Sequence, residues 1–332
     1  MTTDMIGIVY NPPLAAGESF AESSIDVLIQ VEAIEAALCE LKCASVRIPF
    51  SRDLAAFSRE IRDSGAGMVF NLCETVDEDA QLAGHPAAVF ELLGIPFSGS
   101  PAKALMLTTD KVLTKRVLKA TGILTPNYTI YQPPEPLNAA GLHFPVIIKP
   151  RFEDASIGIS QDSIADDETA LRKKSVALAR RFGALLIEEY IDGREFNLSL
   201  IGYPSAKPLP LAEIEFSQYP TSIYPILDYR AKWDKTSFEY RHTLRKFPDN
   251  LSLGLQRKLE MVAHVCFRVM MLRDYGRVDV RVNPQKDIYV LEVNANPCLS
   301  PDAGVAAAAE KSGLTYTRMV ERLVGFLRRR AA

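Results

Sequence analysis

Two alternating segments near the C-terminus constrain this 332-residue chain more than any other feature. Residues 277–282 and 288–294 each alternate apolar and polar side chains, and the intervening Asn-Pro-Gln-Lys-Asp favours a turn. The pattern therefore predicts a β-hairpin with its turn centred between residues 285 and 286. The predicted opposed pairs on its apolar face are Val278–Val293, Val280–Leu291 and Val282–Tyr289.

The other face of this predicted hairpin is polar, with Arg277 opposite Asn294 and Asp279 opposite Glu292. Two carboxylates directly across a strand pair repel each other, so a positive charge is expected between them. Oxygen ligands on two strands suit Mg²⁺, which takes its remaining ligands from phosphates or water. The alternative is an exposed polar face that Arg277 and Arg281 neutralise.

The first hundred residues alternate short apolar runs with helical patterns. The expected strands are residues 5–10, 47–49 and 68–70, and the expected helices are residues 25–41 and 79–93. This alternation predicts a parallel sheet covered by helices over residues 1–100. Hydrophobic residues make up 48% of the chain and charged residues 24%, which is a composition able to form globular cores.

The pattern changes after residue 101. Helices are expected over residues 109–120 and 167–181, and strands over 145–150 and 184–190. A polar turn separates the strand 184–190 from an apolar stretch at 195–200, which predicts a second hairpin. The length of the chain allows two or three domains.

Composition excludes several classes of protein. The chain has 38 basic and 41 acidic residues, a net charge of -3, which argues against nucleic-acid binding. No apolar run approaches the roughly 20 residues of a membrane span, and the N-terminus lacks the basic start of a secretion signal. Five scattered cysteines without a C-x-x-C pair favour free thiols, and we expect a cytoplasmic protein.

Several residues upstream of the hairpin could bind a nucleotide. Lys149 ends the apolar strand PVIIKP and precedes a turn that contains Ser156 and Gly158. Such a lysine beside backbone N–H donors suits a triphosphate, although a strand-end lysine is often only a solvated charge. Lys111, at the start of a helical stretch, is open to a second interpretation as a surface residue.

Two further segments could complete such a site. The backbone of residues 188–191, including Glu189, could hydrogen-bond an adenine edge, and Glu195 could bind a ribose. Residues 228–234 combine charged and aromatic side chains in a weakly periodic stretch, which is typical of a mobile loop over a site. An ordinary surface loop is the alternative.

These segments occur in one order over nearly the whole chain, and together they resemble the ATP-grasp enzymes, specifically the D-alanine–D-alanine ligase type. The matching segments are residues 109–115, 122–126, 144–150, 188–196, 228–232, 276–279 and 291–297. The resemblance implies an α/β (α+β) ATP-grasp fold. Its implied domains are an N-terminal Rossmann-like domain, 1–105, a central ATP-grasp subdomain, 106–187, and a C-terminal ATP-grasp subdomain with the metal site, 188–332.

The resemblance also implies roles in ATP binding. It assigns Lys111 and Lys149 to the ATP phosphates, Glu188 and Ile191 to the adenine, and Glu195 to the ribose. These assignments agree with the interpretation of the strand-end lysine and of the segment that follows residue 187.

The catalytic and metal-binding roles are implied in the same way. Lys232 would close on the γ-phosphate, and Arg277 would stabilise the developing oxyanion. The implied ligands of two Mg²⁺ ions, with Mn²⁺ as an alternative, are Asp279, Glu292 and Asn294.

The chain departs from the family where the amino acids would bind. The family usually has two serines where this chain has Ala155 and Ser156, and a tyrosine where it has Trp233. A serine and a tyrosine normally cluster with an N-terminal glutamate, for which Glu22 is the best candidate. Residues 71–74 replace a His-Gly turn and an acidic glycine loop. Residues 296–304 replace a segment in which a glycine and a serine bind the second amino acid.

The implied activity is ATP-dependent ligation of a carboxylate to an amine through an acyl phosphate. The expected substrates are an amino acid and another amino acid or small metabolite. The alternatives are a genuine D-alanine–D-alanine ligase of cell-wall synthesis, a phosphotransferase that stops at the acyl phosphate, and a non-catalytic ATP-binding regulatory module. A homodimer is expected by analogy with relatives.

Overall fold

The computed structural model describes residues 5–13, 18 and 20–331. Its strands are β1 (Ile6–Tyr10), β2 (Ser45–Pro49), β3 (Met68–Asn71), β4 (Tyr128–Tyr131), β5 (Val146–Pro150), β6 (Ile164–Ala165), β7 (Leu185–Glu189), β8 (Arg194–Gly202), β9 (Lys207–Pro208), β10 (Ala212–Glu215), β11 (Leu244–Lys246), β12 (Asp274–Val282) and β13 (Ile288–Asn294). Its helices are α1 (Ala21–Glu40), α2 (Leu54–Asp63), α3 (His85–Leu93), α4 (Ala102–Thr109), α5 (Lys111–Ala120), α6 (Glu168–Phe182), α7 (Tyr229–Trp233), α8 (Phe238–His242), α9 (Leu253–Val269), α10 (Gly304–Lys311) and α11 (Tyr316–Ala331).

The first sheet is parallel, with the strand order β2-β1-β3, as the sequence predicts. One of its faces packs against α1 and the late helices α10 and α11, so Ile8 and Phe70 share a core with Leu323. Helices α2 and α3 cover the opposite face. The helix expected over 79–93 is divided, because Pro86 at the first turn of α3 starts a new helix after a short 3₁₀ turn.

The second sheet is antiparallel, with the order β4-β7-β5-β6. Alternation along its strands puts Val146 and Ile148 against Leu171 of α6 in a buried core. The intervening side chains, Lys149 among them, therefore project from the opposite face. This second face forms one wall of the cleft described below.

The third sheet is antiparallel, with the order β11-β10-β8-β12-β13, and β9 pairs with β8. The hairpin expected over residues 184–200 is wrong, because β7 belongs to the second sheet and β8 to the third. The polar segment between them leads from one sheet to the other. Gly193 lies in this segment at φ 135°, where a Cβ atom would lie 2.1 Å from the carbonyl oxygen of Val282. Local pattern predicts a turn here, but it does not reveal which strands pair.

The C-terminal hairpin of β12 and β13 is confirmed, with one correction to its register. Asp279 pairs with Glu292 as predicted, but beyond that pair Val280 lies opposite Val290 rather than Leu291. Val282 likewise lies opposite Ile288 rather than Tyr289. The irregularity between Asp279 and Val280 is a β-bulge, which accommodates an extra residue on β13. Leu291 thereby joins Glu292 in lining the cleft.

The predicted domain boundaries at residues 105 and 187 stay a prediction. Each sheet falls within one predicted domain, apart from the last residues of β7, but the buried cores cross the first boundary. Within the described residues, no helix combines the length and apolar character needed to cross a membrane. The five cysteines are all free thiols.

Candidate active site

A cleft of about 630 Å³ lies between the second and third sheets. Its lining contains most of the side chains that the sequence analysis assigned to a nucleotide and metal site. The lining residues are Ile147, Lys149, Ser156, Ile159, Glu188, Glu189, Tyr190, Ile191, Glu195, Ile226, Leu227, Lys232, Asp279, Arg281, Leu291 and Glu292.

Glu188 is buried in the wall formed by the second sheet, with 1% of its side chain exposed. Its carboxylate pairs with two lysines, Lys149 from β5 and Lys115 from α5, and the Lys115 distance is 2.5 Å. Burial alone would raise the pKa of Glu188, but the two ammonium groups outweigh it and hold the pKa below its usual value. Lys149 is therefore held by a carboxylate rather than solvated.

Lys115 is a residue of this wall to which the sequence analysis gave no role. Its Nζ donates to Thr125 Oγ1 at 2.7 Å, and that hydroxyl donates to the carbonyl of Val290 in β13 at 2.7 Å. The chain of contacts ties the second sheet to the third. Burial lowers the pKa of Lys115 to about 8, against the opposing effect of Glu188. The T-D-K-x-x-x-K pattern at residues 109–115 was the sequence feature that could have identified Lys115.

Asp279 occupies the middle of the opposite wall, in β12. Arg277 donates to it from two nitrogens, Nε and Nη2, each at 2.8 Å. Asn197, its neighbour across the β8–β12 ladder, donates from Nδ2 at 2.8 Å. Arg277 and Asp279 were predicted as site residues, whereas Asn197 was not, because its relevance depends on which strand lies beside β12.

Glu292 faces the same space as Asp279, and Asn294 Nδ2 lies within 3.2 Å of Asp279 Oδ2 and 3.3 Å of Glu292 Oε1. Burial raises the pKa of Asp279 to about 6, and the charge of Glu292 adds to the rise. For Glu292, burial is outweighed by the cations of the cleft, with Lys111 and Lys232 foremost, and its pKa lies well below the usual range. The two carboxylates therefore differ: the surrounding cations stabilise the charge of Glu292, whereas burial and the charge of Glu292 destabilise that of Asp279.

This donor set fits a hard divalent cation that takes part of its coordination from a substrate. Within the described residues, no group of three or more His, Cys, Asp or Glu side chains converges on one point. The available oxygen ligands are the two carboxylates of Asp279 and Glu292 and, after rotation of its amide, Asn294. Mg²⁺ held by few carboxylates takes its remaining ligands from phosphates and water.

Arg281 is the second arginine of β12, and it holds Glu195 in place. Its Nε and Nη2 atoms donate to Glu195 Oε2 at 3.0 and 2.9 Å, and its Nη1 atom donates to the carbonyl of Ile191 at 2.8 Å. Its guanidinium also lies over the ring of Tyr190. The sequence analysis considered Arg281 only as a neutralising charge, because its contacts to residues 190–195 require the third sheet to be assembled.

Lys232 enters the cleft from α7. The surrounding stretch was expected to be a loop, but Asp228 accepts a hydrogen bond from Ala231 N at 2.8 Å and so caps a short helix. Burial lowers the pKa of Lys232, although Glu292 opposes that effect. The indole of Trp233 donates to the carbonyl of Ala155 at 3.0 Å, which joins α7 to the turn after β5.

Of the remaining predicted residues, Lys111 lies outside the lining of the cleft, whereas Ser156 lies in it. Lys111 is buried, and its Nζ contacts the carbonyl of Glu153 and, at 3.2 Å, Asp154 Oδ1. Ser156 donates to the carbonyl of Leu227 at 2.7 Å. Both contacts attach the 153–156 turn to neighbouring elements.

Glu22, from the start of α1, is brought to α7. Its Oε2 atom accepts a hydrogen bond from the hydroxyl of Tyr229 at 3.1 Å. Tyr229 lies one helical turn before Trp233, so the two rings share a face of α7 and lie 6.4 Å apart. The sequence analysis missed Tyr229 because it interpreted this stretch as a loop, in which the four-residue spacing has no meaning.

Comparison with known proteins agrees with this geometry. The family model described as "D-ala D-ala ligase C-terminus" matches residues 118–325. A D-alanine–D-alanine ligase of Synechococcus sp. strain JA-3-3Ab is 30% identical over 327 residues, covering 97% of this chain and 95% of the relative. An uncharacterized protein of Sinorhizobium fredii is also 30% identical, covering 80% of this chain and 76% of that protein.

The fold is similar to that of a solved structure from the same family. The crystal structure of the Bacillus anthracis D-alanine–D-alanine ligase complexed with ATP has a TM-score of 0.78 and 21% identity, and the match covers 98% of this chain and 97% of that one. The chain therefore belongs to the D-alanine–D-alanine ligase family of ATP-dependent ligases and has the ATP-grasp fold.

Proposed function

We propose that this protein activates a carboxylate with ATP and transfers the acyl group to an amine, forming an amide bond through an acyl phosphate. The proposal rests on one observation: charged side chains from the second and third sheets line the same cleft. Lys149 and Glu188 project from the second sheet, and Asp279 and Glu292 project from the third. Phosphoryl transfer depends mainly on positioning and charge neutralisation of this kind.

We assign the apolar part of the cleft to the adenine. The backbone N–H of Tyr190 is bonded to the carbonyl of Pro145, whereas that of Ile191 has no partner within the described residues. Ile191 N–H and the carbonyl of Glu189 are therefore suited to hydrogen-bond an adenine edge, beside Leu291. Glu195, oriented by Arg281, is placed to accept hydrogen bonds from a ribose.

The phosphates would then extend towards Lys149, Lys232 and the carboxylates. Mg²⁺, or Mn²⁺ in its place, supplies charge neutralisation of the phosphate oxygens when bound. Asp279, Glu292 and Asn294 are the residues that would hold it. Lys232 would contact the γ-phosphate from α7, and Lys111 would support the 153–156 turn that faces the phosphates.

The chain's own residues also serve the second step. Arg277 is held by Asp279, which lines the cleft, and from there it would stabilise negative charge on the carbonyl oxygen during amine attack. Helix α7 and the 153–156 turn close over the site through the contact of Trp233 with Ala155. Such a cover keeps water away from an acyl phosphate.

The acid substrate is assigned to the space bounded by Glu22, Tyr229 and Trp233. Glu22 would bind the ammonium group of an amino acid, so we propose that the acid is an amino acid. Ligation of two D-alanines is the second candidate, and the 30% identity to a D-alanine–D-alanine ligase over nearly the whole chain favours it. The changes at Ala155 and Trp233 favour a different first amino acid.

One experiment decides between these candidates. L- and D-amino acids are tested in pairs for ATP-dependent phosphate release, and products are identified by mass. We expect release that requires both an acid and an amine, with a product joined by an amide bond. Release that needs only the acid would indicate a phosphotransferase, and nucleotide binding without release under any pair would indicate a regulatory module. Cytoplasmic location and a homodimer stay predictions of the sequence.

A further inference from the structure

Asn197, in β8, contacts the proposed metal ligand Asp279 from outside the hairpin of β12 and β13. The strand register places Asn197 directly opposite Asp279, and Asp279 directly opposite Glu292. The three side chains therefore form one row across β8, β12 and β13, with Asp279 in the centre. Asn197 is 6% exposed and does not belong to the lining of the cleft, so it is not placed to contact a nucleotide there.

The two carboxylate oxygens of Asp279 are held differently. Each oxygen has two lone-pair positions that can accept a hydrogen bond. Arg277 takes one position on each oxygen, from Nε to Oδ1 and from Nη2 to Oδ2. Asn197 Nδ2 donates to Oδ1 at 2.8 Å, which fills the second position of that oxygen. Oδ1 therefore has no lone pair left for a cation.

The other oxygen of Asp279, Oδ2, faces the remaining proposed ligands. Its second contact is Asn294 Nδ2, which lies 3.2 Å from Oδ2 and 3.3 Å from Glu292 Oε1. Rotation of the Asn294 amide, which turns its oxygen towards a cation, removes this donor and leaves one lone pair of Oδ2 free. That lone pair is on the side of Asp279 that faces Asn294 and Glu292.

Asn197 can fix this arrangement because it comes from a different strand. The terminal torsion of an aspartate is broad, so the plane of an unrestrained carboxylate rotates easily. The long side chain of Arg277 starts from the same strand as Asp279 and can follow such a rotation. Asn197 has a short side chain anchored in β8, and its neighbour in β10, Ala212, offers no polar group that competes for the amide.

The hydrogen bond from Asn197 is not needed to hold the two strands together. Strand β12 pairs with β8 along its whole length. The neighbours of Asn197 along β8, Phe196 and Leu198, are buried in an apolar core. An apolar side chain at position 197 would therefore suffice for the fold, and the amide indicates a role that concerns Asp279.

We propose that Asn197 is a positioning residue for the divalent cation, because it keeps Oδ1 of Asp279 occupied and turns Oδ2 towards Glu292 and Asn294. Asp279 then supplies one oxygen in a fixed direction. Mg²⁺ requires near-ideal octahedral geometry at short distances, whereas Ca²⁺ accepts larger and less regular sets of ligands. Asn197 therefore favours Mg²⁺ over Ca²⁺. This inference deepens the proposed function and rests on its metal site.

The test compares Asn197→Leu and Asn197→Val with the matched control Ser199→Ala. Both substitutions of Asn197 remove the donor to Asp279 and provide an apolar side chain that suits a buried strand, so one folded variant is sufficient. Ser199 is buried on the same face of β8, opposite Arg277. Equilibrium dialysis measures the binding of a non-hydrolysable ATP analogue over a range of free Mg²⁺ or Ca²⁺ concentrations, so the measurement does not depend on turnover.

We expect wild-type protein and Ser199→Ala to reach half-maximal nucleotide binding at a lower concentration of Mg²⁺ than of Ca²⁺. Both Asn197 variants should need about 10- to 100-fold more Mg²⁺, the usual effect of removing a residue that orients a metal ligand. Their requirement for Ca²⁺ should rise by less than about threefold, because Ca²⁺ tolerates a changed ligand direction. Binding of the analogue without a divalent cation should be the same in all four proteins.

Three results would overturn the proposal. The Asn197 variants could respond to both cations as wild type does, or their requirements for Mg²⁺ and Ca²⁺ could rise by the same factor. Failure of both variants to fold would show that the amide serves the fold. If nucleotide binding to the wild-type protein does not depend on a divalent cation, the metal site of the proposed function is itself rejected. Phosphate release with pairs of amino acids tests the ligase function separately.

Discussion

The charges of the nucleotide cleft neutralise one another, whereas the charges around Cys298 do not. In the cleft, Glu188 pairs with two lysines and Arg277 pairs with Asp279. Around Cys298, the half-buried carboxylates of Asp26 and Glu74 have no ionic partner among the described residues. The first region has partners on neighbouring strands and on α5, and the second is built from α1, the end of β3 and the segment that follows β13.

The two regions differ in how their charged groups are held before a ligand binds. Charges fixed by one another are already oriented when a ligand arrives, which is the arrangement that stabilises a developing charge without reorganisation. Buried charges without partners destabilise the empty protein and gain their partners from the ligand. The nucleotide cleft is thus predicted to be the more rigid region, and the cluster around Cys298 is predicted to respond more strongly to substrate.

The largest effect is expected from the carboxylates of the third sheet. Glu292→Gln and Asp279→Asn should each lower kcat by about 10³-fold or more, because each would remove one of the proposed ligands of the nucleotide-bound cation. Thermal denaturation should show a folded protein in both cases. Turnover of Glu292→Gln near the wild-type rate would show that the metal assignment is wrong.

A large loss of stability is expected when the ion pairs of Glu188 are disrupted. Lys115→Met leaves buried Glu188 with one lysine, which should reduce the free energy of unfolding by about 3 kcal/mol. Urea denaturation measures the loss, and Lys103→Met on the exposed face of α4 is the control. If the two variants were equally stable, the claim that the charges of the cleft stabilise one another would be wrong.

The opposite effect on stability is expected for Glu74, a carboxylate without an ionic partner among the described residues. Because the pKa of Glu74 rises from 4.5 to about 7 on folding, its destabilising effect develops between those pH values and is complete above pH 7. Glu74→Gln should therefore stabilise the protein by about 2 kcal/mol at pH 8 and by much less at pH 5. Thermal melts at the two pH values test this, and a variant less stable than wild type at pH 8 would refute it.

The smallest effect concerns the acid subsite. Tyr229→Phe removes the hydrogen bond to Glu22, which should raise the KM for the acid about fivefold, equivalent to about 1 kcal/mol, with the KM for ATP unchanged. Tyr240→Phe in α8 is the matched control. A change in the KM for ATP as large as that for the acid would indicate that Tyr229 acts on the whole closed state of α7.

The sequence was sufficient to predict the fold and the candidate site where the relevant contacts are local. Alternation and a turn predicted the hairpin that joins Asp279 to Glu292, and a strand followed by small residues identified Lys149. The register beyond that pair was wrong, because a bulge that turns Leu291 into the cleft leaves no local signal. The hairpin over 184–200 failed for a related reason, since strand partners depend on distant segments.

Residues whose role depends on assembly were missed altogether. Lys115 acquires its role only when α5 packs beside β7, and Asn197 only when β8 lies beside β12. Identifying Tyr229 as a site residue required the knowledge that residues 229–233 are helical. The roles of all the site residues stay predictions until the experiments above are done.

The core shared by the first sheet and the late helices has a consequence for biogenesis. Ile8 and Phe70 emerge from the ribosome early, but Leu323 and its neighbours in α11 are translated only at the very end of this stretch of chain. Of the helices that pack on that face of the first sheet, only α1 is available until α10 and α11 have been synthesised. Nascent chains of this protein are expected to need chaperone protection until α11 docks, and arrest before residue 316 should leave them prone to aggregation.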